Sequence, residues 1–264
     1  MKKEDLQELQ DMANILRIDS IKATGVTKSG HPTSCGSIAE VMSSLFFHKS
    51  GIHFHPDQPD HFQNDRFILS KGHAAPILYA ALARAGVFPQ EELLSVRKKG
   101  ALLQGHPVPS IPFVDVATGS LGMGLGFGAG MAYSSKYYDK IDNKIFVLMG
   151  DGEATEGSIW EAAAFASYYK LNNLIGIVDM NALGQSDPTM YGHNSKSYCS
   201  KFQAFGWETI PIDGHCCNAI VKALNIARNQ KDKPTVLIIK TFKGKGFGTI
   251  IEGKEGWHGK ALGG

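Results

Sequence analysis

Four short apolar runs in the second half of the chain, at 145–149, 174–179, 208–212 and 235–240, alternate with stretches of helical spacing near 157–170, 196–205 and 216–229. Strands separated in sequence by helices are joined by crossovers, which makes them parallel and covers their sheet on both faces. The pattern predicts an α/β fold, a three-layer αβα arrangement with a mostly parallel sheet. It also says where chemistry belongs, because open α/β sheets bind ligands beyond the carboxyl ends of their strands. The first half adds a helix over 4–27, with Leu6, Leu9, Met12, Ala13, Leu16 and Ile21 at helical spacing, and a second over 37–47. A polar loop rich in His and Pro follows to Asn64, then a short strand at Phe67–Leu69, a helix over 75–85 and another starting near Pro89.

Composition narrows the class. The 264 residues carry a formal net charge of only +2 and no basic block, so nothing points to nucleic acid. No run approaches transmembrane length, and the charged first helix is not a signal peptide. The spacing of Cys35, Cys199, Cys216 and Cys217 fits neither a zinc site nor a disulfide framework, which suits reduced thiols in a cytoplasmic protein.

The most informative stretch is Phe146-Val147-Leu148-Met149-Gly150-Asp151-Gly152-Glu153, an apolar strand that stops at Gly-Asp-Gly. A second strand ends in Asp179-Met180-Asn181. Asp151 and Asn181 thus place two oxygen ligands at neighbouring strand ends, suited to Mg²⁺ or Ca²⁺. Such a cation takes further ligands from a phosphate, which suggests a diphosphate cofactor. Gly-Asp-Gly is also an ordinary turn. Between the halves lies a glycine-rich run, Thr118 to Gly130, that lacks the spacing of a dinucleotide fingerprint. Gly122, Gly126 and Gly130 form one helical stripe and Gly124 and Gly128 another, which predicts close helix–helix approach; the leading Gly119-Ser120-Leu121 amides could meet a phosphate at the helix N-terminus. Four of the ten histidines, His31, His73, His106 and His258, sit in Gly- or Pro-marked turns. Beside a cation–phosphate site they are expected to line one pocket and relay protons near neutral pH. His53, His55 and His61 form a separate group in a solvated loop, where a transition-metal site is the less favoured reading.

The blocks Ser29–Ser34, Asn64–Ala74, Gly105-His106-Pro107, Thr118–Gly124, Gly150–Gly157, Asp179–Pro188 and Thr241–Gly244 through Trp257–Lys260 run in one order across nearly the whole chain. In that order they resemble the N-terminal, diphosphate-binding half of transketolase. The resemblance implies a thiamine diphosphate-binding fold with 1–264 as a single diphosphate-binding domain, and thiamine diphosphate with Mg²⁺ (or Ca²⁺) as cofactors. Asp151, Asn181 and the backbone carbonyl of Leu183 would hold the metal. Ser34, His73, Gly119, Ser120, Leu121, Gly152, Gln185 and Lys243 would surround the cofactor, with Lys71 nearby and Glu156 in the same set. Glu156 and Glu161 also match acidic positions that link paired active sites, or else are solvated charges at a helix start. His31, His106 and His258 would contact the ketose and move protons. Gln185 stands where some members of the family carry histidine.

A full transketolase is more than twice this long, and its remaining part carries the pyrimidine-binding domain with the glutamate that activates the cofactor. The resemblance therefore implies the N-terminal subunit of a split transketolase, inactive alone. Its partner would be a C-terminal subunit with the pyrimidine-binding domain, in an α2β2 assembly acting on sugar phosphates. Three rivals remain: a split transketolase for a branched or modified sugar phosphate, the α subunit of a 2-oxo-acid dehydrogenase, and a catalytically silent scaffold that kept the fold.

Overall fold

The computed structural model describes residues 2–262. Its helices and strands, in chain order, begin with α1 (Lys3–Thr27), α2 (Pro32–Gly36), α3 (Ala39–Phe47), β1 (Arg66–Leu69) and α4 (Ala75–Arg84). They continue with α5 (Gly124–Tyr133), β2 (Ile145–Gly150), α6 (Gly157–Tyr168), β3 (Leu174–Met180), α7 (Ser195–Ala204), β4 (Glu208–Asp213), α8 (Cys217–Arg228) and β5 (Thr235–Lys240). The five strands pair in the order β1-β2-β3-β5-β4, and every pairing is parallel.

Alternation along the strands divides the core in two. Phe67, Leu69, Phe146, Leu148, Ile175, Ile177, Leu237 and Ile239 face α1, α3, α4 and α8. The intervening Ile68, Ile145, Val147, Met149, Leu174, Val178, Val236 and Ile238 face α5, α6 and α7. Successive side chains of a strand point to opposite faces, so near-continuous apolar runs are what a doubly covered sheet requires. The expected three-layer αβα architecture is therefore present, and β4, the least buried strand, lies at one edge.

Three local expectations change. The helix expected over 37–47 starts at Ala39, preceded by the separate α2 with Pro32 at its first position. Its break at Ser37 turns the Ser37 hydroxyl under the sheet, 2.8 Å from Asp179 Oδ2. The helix expected after Pro89 is a short 3₁₀ segment, Gln90–Ser95. The glycine run behaves differently from either predicted stripe. Gly122 lies before α5 at φ +87°, and Gly126 and Gly130 face open space. A Cβ at Gly124 would strike Ser70, and one at Gly128 would come 2.4 Å from Val147 Cγ2. The close approach that these two glycines permit is of a helix onto the sheet, not of helix onto helix.

Candidate cofactor site at the carboxyl ends of the sheet

The register of the sheet brings four strand ends level. Leu69 pairs with Leu148, Gly150 with Asp179 and Met180 with Lys240. The residues that follow, Ser70-Lys71, Asp151, Asn181 and Thr241, therefore emerge together at one end. Of these, Lys71, Asp151 and Asn181 line a cavity of about 340 Å³.

Turns from distant parts of the chain close over it. His31, His73, His106 and His258 all line the cavity. The rings of His31, His73 and His258 form a triangle with centroids 4.8 to 5.2 Å apart. His106 packs against Gly119, where a Cβ would sit 3.1 Å from its ring. Of the other expected residues, Ser34, Lys71, Gly119, Leu121, Asp151, Gly152, Asn181, Leu183, Gln185 and Lys243 line the same cavity. Ser120 and Glu156 do not. Ser120 is exposed in the turn ahead of α5, so the amides of 119–121 belong to that turn and not to the helix N-terminus, which starts at Gly124. Glu156 is the exposed residue before α6, with its side chain against Gly122 outside the cavity. Glu161 is exposed on the same helix.

Asp151 is buried, and its carboxylate accepts from Gly152 N (2.9 Å), Ala182 N (2.8 Å) and Thr189 Oγ1 (2.9 Å). Burial, and next the neighbouring Asp179, push its pKa up to about 6 against those hydrogen bonds. The bases opposite are shifted the other way. Burial, and then nearby positive groups, bring His31 and His258 down to about 4 and Lys243 to about 8, and hold His73 well below its ordinary value. The Lys243 ammonium donates to the carbonyls of Leu183 (3.0 Å) and Gly184 (2.8 Å) and to His258 Nδ1 (2.8 Å). The Ser34 hydroxyl and His31 Nδ1 are buried without a hydrogen-bond partner among the described residues.

These features fit a metal–diphosphate pair. A carboxylate held above its ordinary pKa gains from a cation, while depressed bases and an orphaned hydroxyl gain from an anion. Asp151, Asn181 Oδ1 and the Leu183 carbonyl, which here accepts from Lys243, would be the metal ligands. Among the described residues no three or more His, Cys, Asp or Glu side chains gather as a metal cluster. A hard cation with six or more oxygen ligands would thus need several of them from phosphate and water. The alternative group at His53, His55 and His61 does not gather around an ion. Both ring nitrogens of His53 are engaged, with Lys49 O (2.7 Å) and with Arg228 (2.8 Å).

Two residues that the motifs left aside organise the floor. Asp179 is fully buried and pairs with Lys71 Nζ at 2.5 Å. It also accepts from Asn181 Nδ2 (2.8 Å) and from the Thr241 hydroxyl. Burial alone would raise its pKa, yet Lys71 and these hydrogen bonds hold it below the ordinary carboxylate value. The bond to Nδ2 orients the Asn181 amide, leaving Oδ1 to accept from Leu183 N at 3.1 Å. Lys71 therefore lines the cavity with its charge already offset by Asp179. Glu153, also buried, accepts from Gly122 N (2.9 Å), Gly150 N (3.0 Å) and the Ser70 hydroxyl, latching the glycine turn to the end of β2. A carboxylate inside the apolar run of β3 was a readable signal for Asp179. Glu153 had none, because two of its three partners, Gly122 and Ser70, are far away in sequence.

An αβα domain with a buried carboxylate and a ring of histidines at its strand ends is suited to a diphosphate-bearing ligand. Residues 8–264 match the family described as "Transketolase, thiamine diphosphate binding domain", and the chain belongs to it. The match sets aside the 2-oxo-acid dehydrogenase reading. The chain is 55% identical over 257 residues to the transketolase of Mus musculus, covering 97% of this chain and 40% of that protein. A crystal structure of transketolase from Campylobacter jejuni superimposes with a TM-score of 0.90 at 35% identity, over 97% of this chain and 41% of that one. A Pichia stipitis transketolase variant in complex with fructose-6-phosphate superimposes with a TM-score of 0.88 at 28% identity, over 97% and 39%. The chain thus spans about 40% of the length of the curated relatives it matches.

Proposed function

We propose that residues 1–264 form one diphosphate-binding domain, the N-terminal subunit of a thiamine-diphosphate- and Mg²⁺-dependent transketolase. It would transfer a two-carbon ketol unit from a ketose phosphate to an aldose phosphate. The convergence of His31, His73, His106 and His258 with Asp151, Asn181 and Lys243 on one cavity carries this reading. When bound, thiamine diphosphate supplies a nucleophilic carbon and an electron sink. Asp151, Asn181 and the Leu183 carbonyl would hold the metal. Ser34, Lys71, His73, Gly119, Leu121, Gly152, Gln185 and Lys243 would contact the cofactor. His31, His106 and His258, neutral at physiological pH, can each accept or donate a proton at a ring nitrogen facing the cavity. The fructose-6-phosphate of the Pichia stipitis complex makes a ketose phosphate the class to test first.

The same proposal assigns the pyrimidine-binding domain to a C-terminal subunit in a cytoplasmic α2β2 assembly. Among the described residues no helix is long and apolar enough to cross a membrane. Co-expression with such a subunit should yield a complex that transfers two-carbon units across a panel of linear and branched ketose phosphates. A complex that binds thiamine diphosphate and Mg²⁺ but transfers nothing sinks the transferase reading and leaves the scaffold. Replacing Asp151 by Ala should weaken metal-dependent cofactor retention more than about 100-fold, since even outer partners of metal ligands are worth 10–100-fold. His106→Ala and His258→Ala should retain the cofactor and lower turnover by roughly 10²–10⁴-fold.

A further inference from the structure

At the opposite end of the sheet, the segment before β2, the last turn of α8 with the residues after it, and the loop after α3 line a second, half-open cavity of about 370 Å³. The six-residue β2 separates it from the histidine pocket by roughly 17–20 Å at 3.3 Å per residue. Lys49, Lys144, Arg228 and Lys231 line it, and Asp142 is the one carboxylate among its lining residues.

Arg228 has a structural task. It pairs with Asp65 at 2.6 Å and donates to the Gly51 carbonyl at 2.9 Å and to His53 Nδ1 at 2.8 Å. Asp65 also accepts from the backbone amides of His53 (2.8 Å) and Lys144 (2.7 Å), so the wall of the cavity is rigid. The three lysines have no such task. The Lys144 side chain is only 10% exposed, and its ammonium makes no hydrogen bond among the described residues. The Asp142 carboxylate lies 3.7 Å from it and is itself 99% exposed. Burial lowers the pKa of Lys144, opposed by Asp142 and reinforced by Arg228 and Lys231. Lys49 and Lys231 have no ion-pair partner among the described residues. Asp142 and the half-charge of the α8 carboxyl end offset part of this cluster. Three lysines in one concavity, the nearly buried one paired only with the solvent-exposed Asp142, still leave an excess of positive charge there.

We propose that this cavity binds a phosphate group, free or carried by a small phosphomonoester, at a site independent of the histidine pocket. Lysine ammoniums are suited to phosphate as point charges, and a half-open cavity of this size has room for a small phosphate ester. Asn225 and Asn229 on the same wall offer amide groups to the hydroxyls of an ester.

The test is an NMR titration of the ¹⁵N-labelled full chain with sodium phosphate, with glycerol 3-phosphate, and with NaCl at matched ionic strength. The amides of Lys49, Lys144 and Asn229 to Lys231 should shift saturably with both phosphates and not with NaCl. Tighter binding of the ester identifies a metabolite site; equal binding identifies a site for free phosphate. Lys144→Gln and the exposed Lys231→Gln should each weaken these shifts about 10-fold, as expected for a lost charge-assisted contact. Both variants should leave any shifts at Gly119 to Leu121 unchanged. Shifts that NaCl reproduces, or affinities unchanged in a folded Lys231→Gln protein, overturn the proposal.

Discussion

Two carboxylates one strand apart, Asp151 and Asp179, have opposite environments. Asp179 lies beneath the cavity with Lys71, Asn181 and Thr241 as hydrogen-bond partners, and its pKa is held down. Asp151 lies at the cavity wall, meets only neutral donors, and has its pKa pushed up to about 6. The same division separates Ser37, which lies against Asp179, from Ser34, whose buried hydroxyl has no partner among the described residues. The floor is complete in itself, whereas the wall is complementary to something that is charged at both ends. Stability and binding are thus assigned to different residues only a few ångströms apart.

The largest effect that could break this division is on folding. Asp179→Ala strands the Lys71 ammonium in the core and should cost about 3–5 kcal/mol in urea unfolding without any ligand. Asp151→Asn keeps the shape and removes an unfavourably buried charge, so it should stay within about 1–2 kcal/mol of the parent. Equal losses for the two would erase the distinction between floor and wall.

Acidification gives the next effect. Histidine bases whose folded pKa is depressed bind fewer protons folded than unfolded. The stability they contribute is present above the unfolded value of 6.5 and is lost as pH falls toward about 4, the folded value of His31 and His258. Asp151, raised in the folded state, acts in the opposite sense below about 6. Comparing the parent with His258→Gln cancels that contribution. Allowing for the exposure of this half-buried ring, the parent should lose about 1 kcal/mol more than the variant between pH 6.5 and 4.5. Parallel curves would mean that His258 feels no such field. The smallest test pairs the serines. Ser37→Ala should cost about 1 kcal/mol in the same assay, and Ser34→Ala should leave the ligand-free protein within about 0.5 kcal/mol of the parent.

Much of this was legible in the chain. The β2, β3 and β5 runs were readable because a doubly covered parallel strand is apolar throughout, and the alternation with helices requires crossovers. Asp151 and Asn181 were readable because each directly follows such a run. Glu153, the Lys71–Asp179 pairing and the contacts of the glycines were not. Glu153 binds the amides of Gly122 and Gly150, and Gly128 is demanded by Val147, partners that neither periodicity nor spacing reveals. The helical stripe through Gly122, Gly126 and Gly130 misled for the same reason: only the packed structure shows that Gly122 precedes the helix and that the other two touch nothing.

By itself the sequence determined the αβα class, the alternation of strands with crossover helices and the placement of Gly-Asp-Gly at a strand end, since each follows from residues adjacent along the chain. The tertiary structure decided that four turns, centred on His31, His73, His106 and His258, meet over that strand end. It decided too that Lys71 pairs with Asp179 beside the cavity, and that three lysines crowd the far end of the sheet. These are relations of charge and burial through space, which act between residues whatever their separation along the chain and therefore leave no local pattern to read.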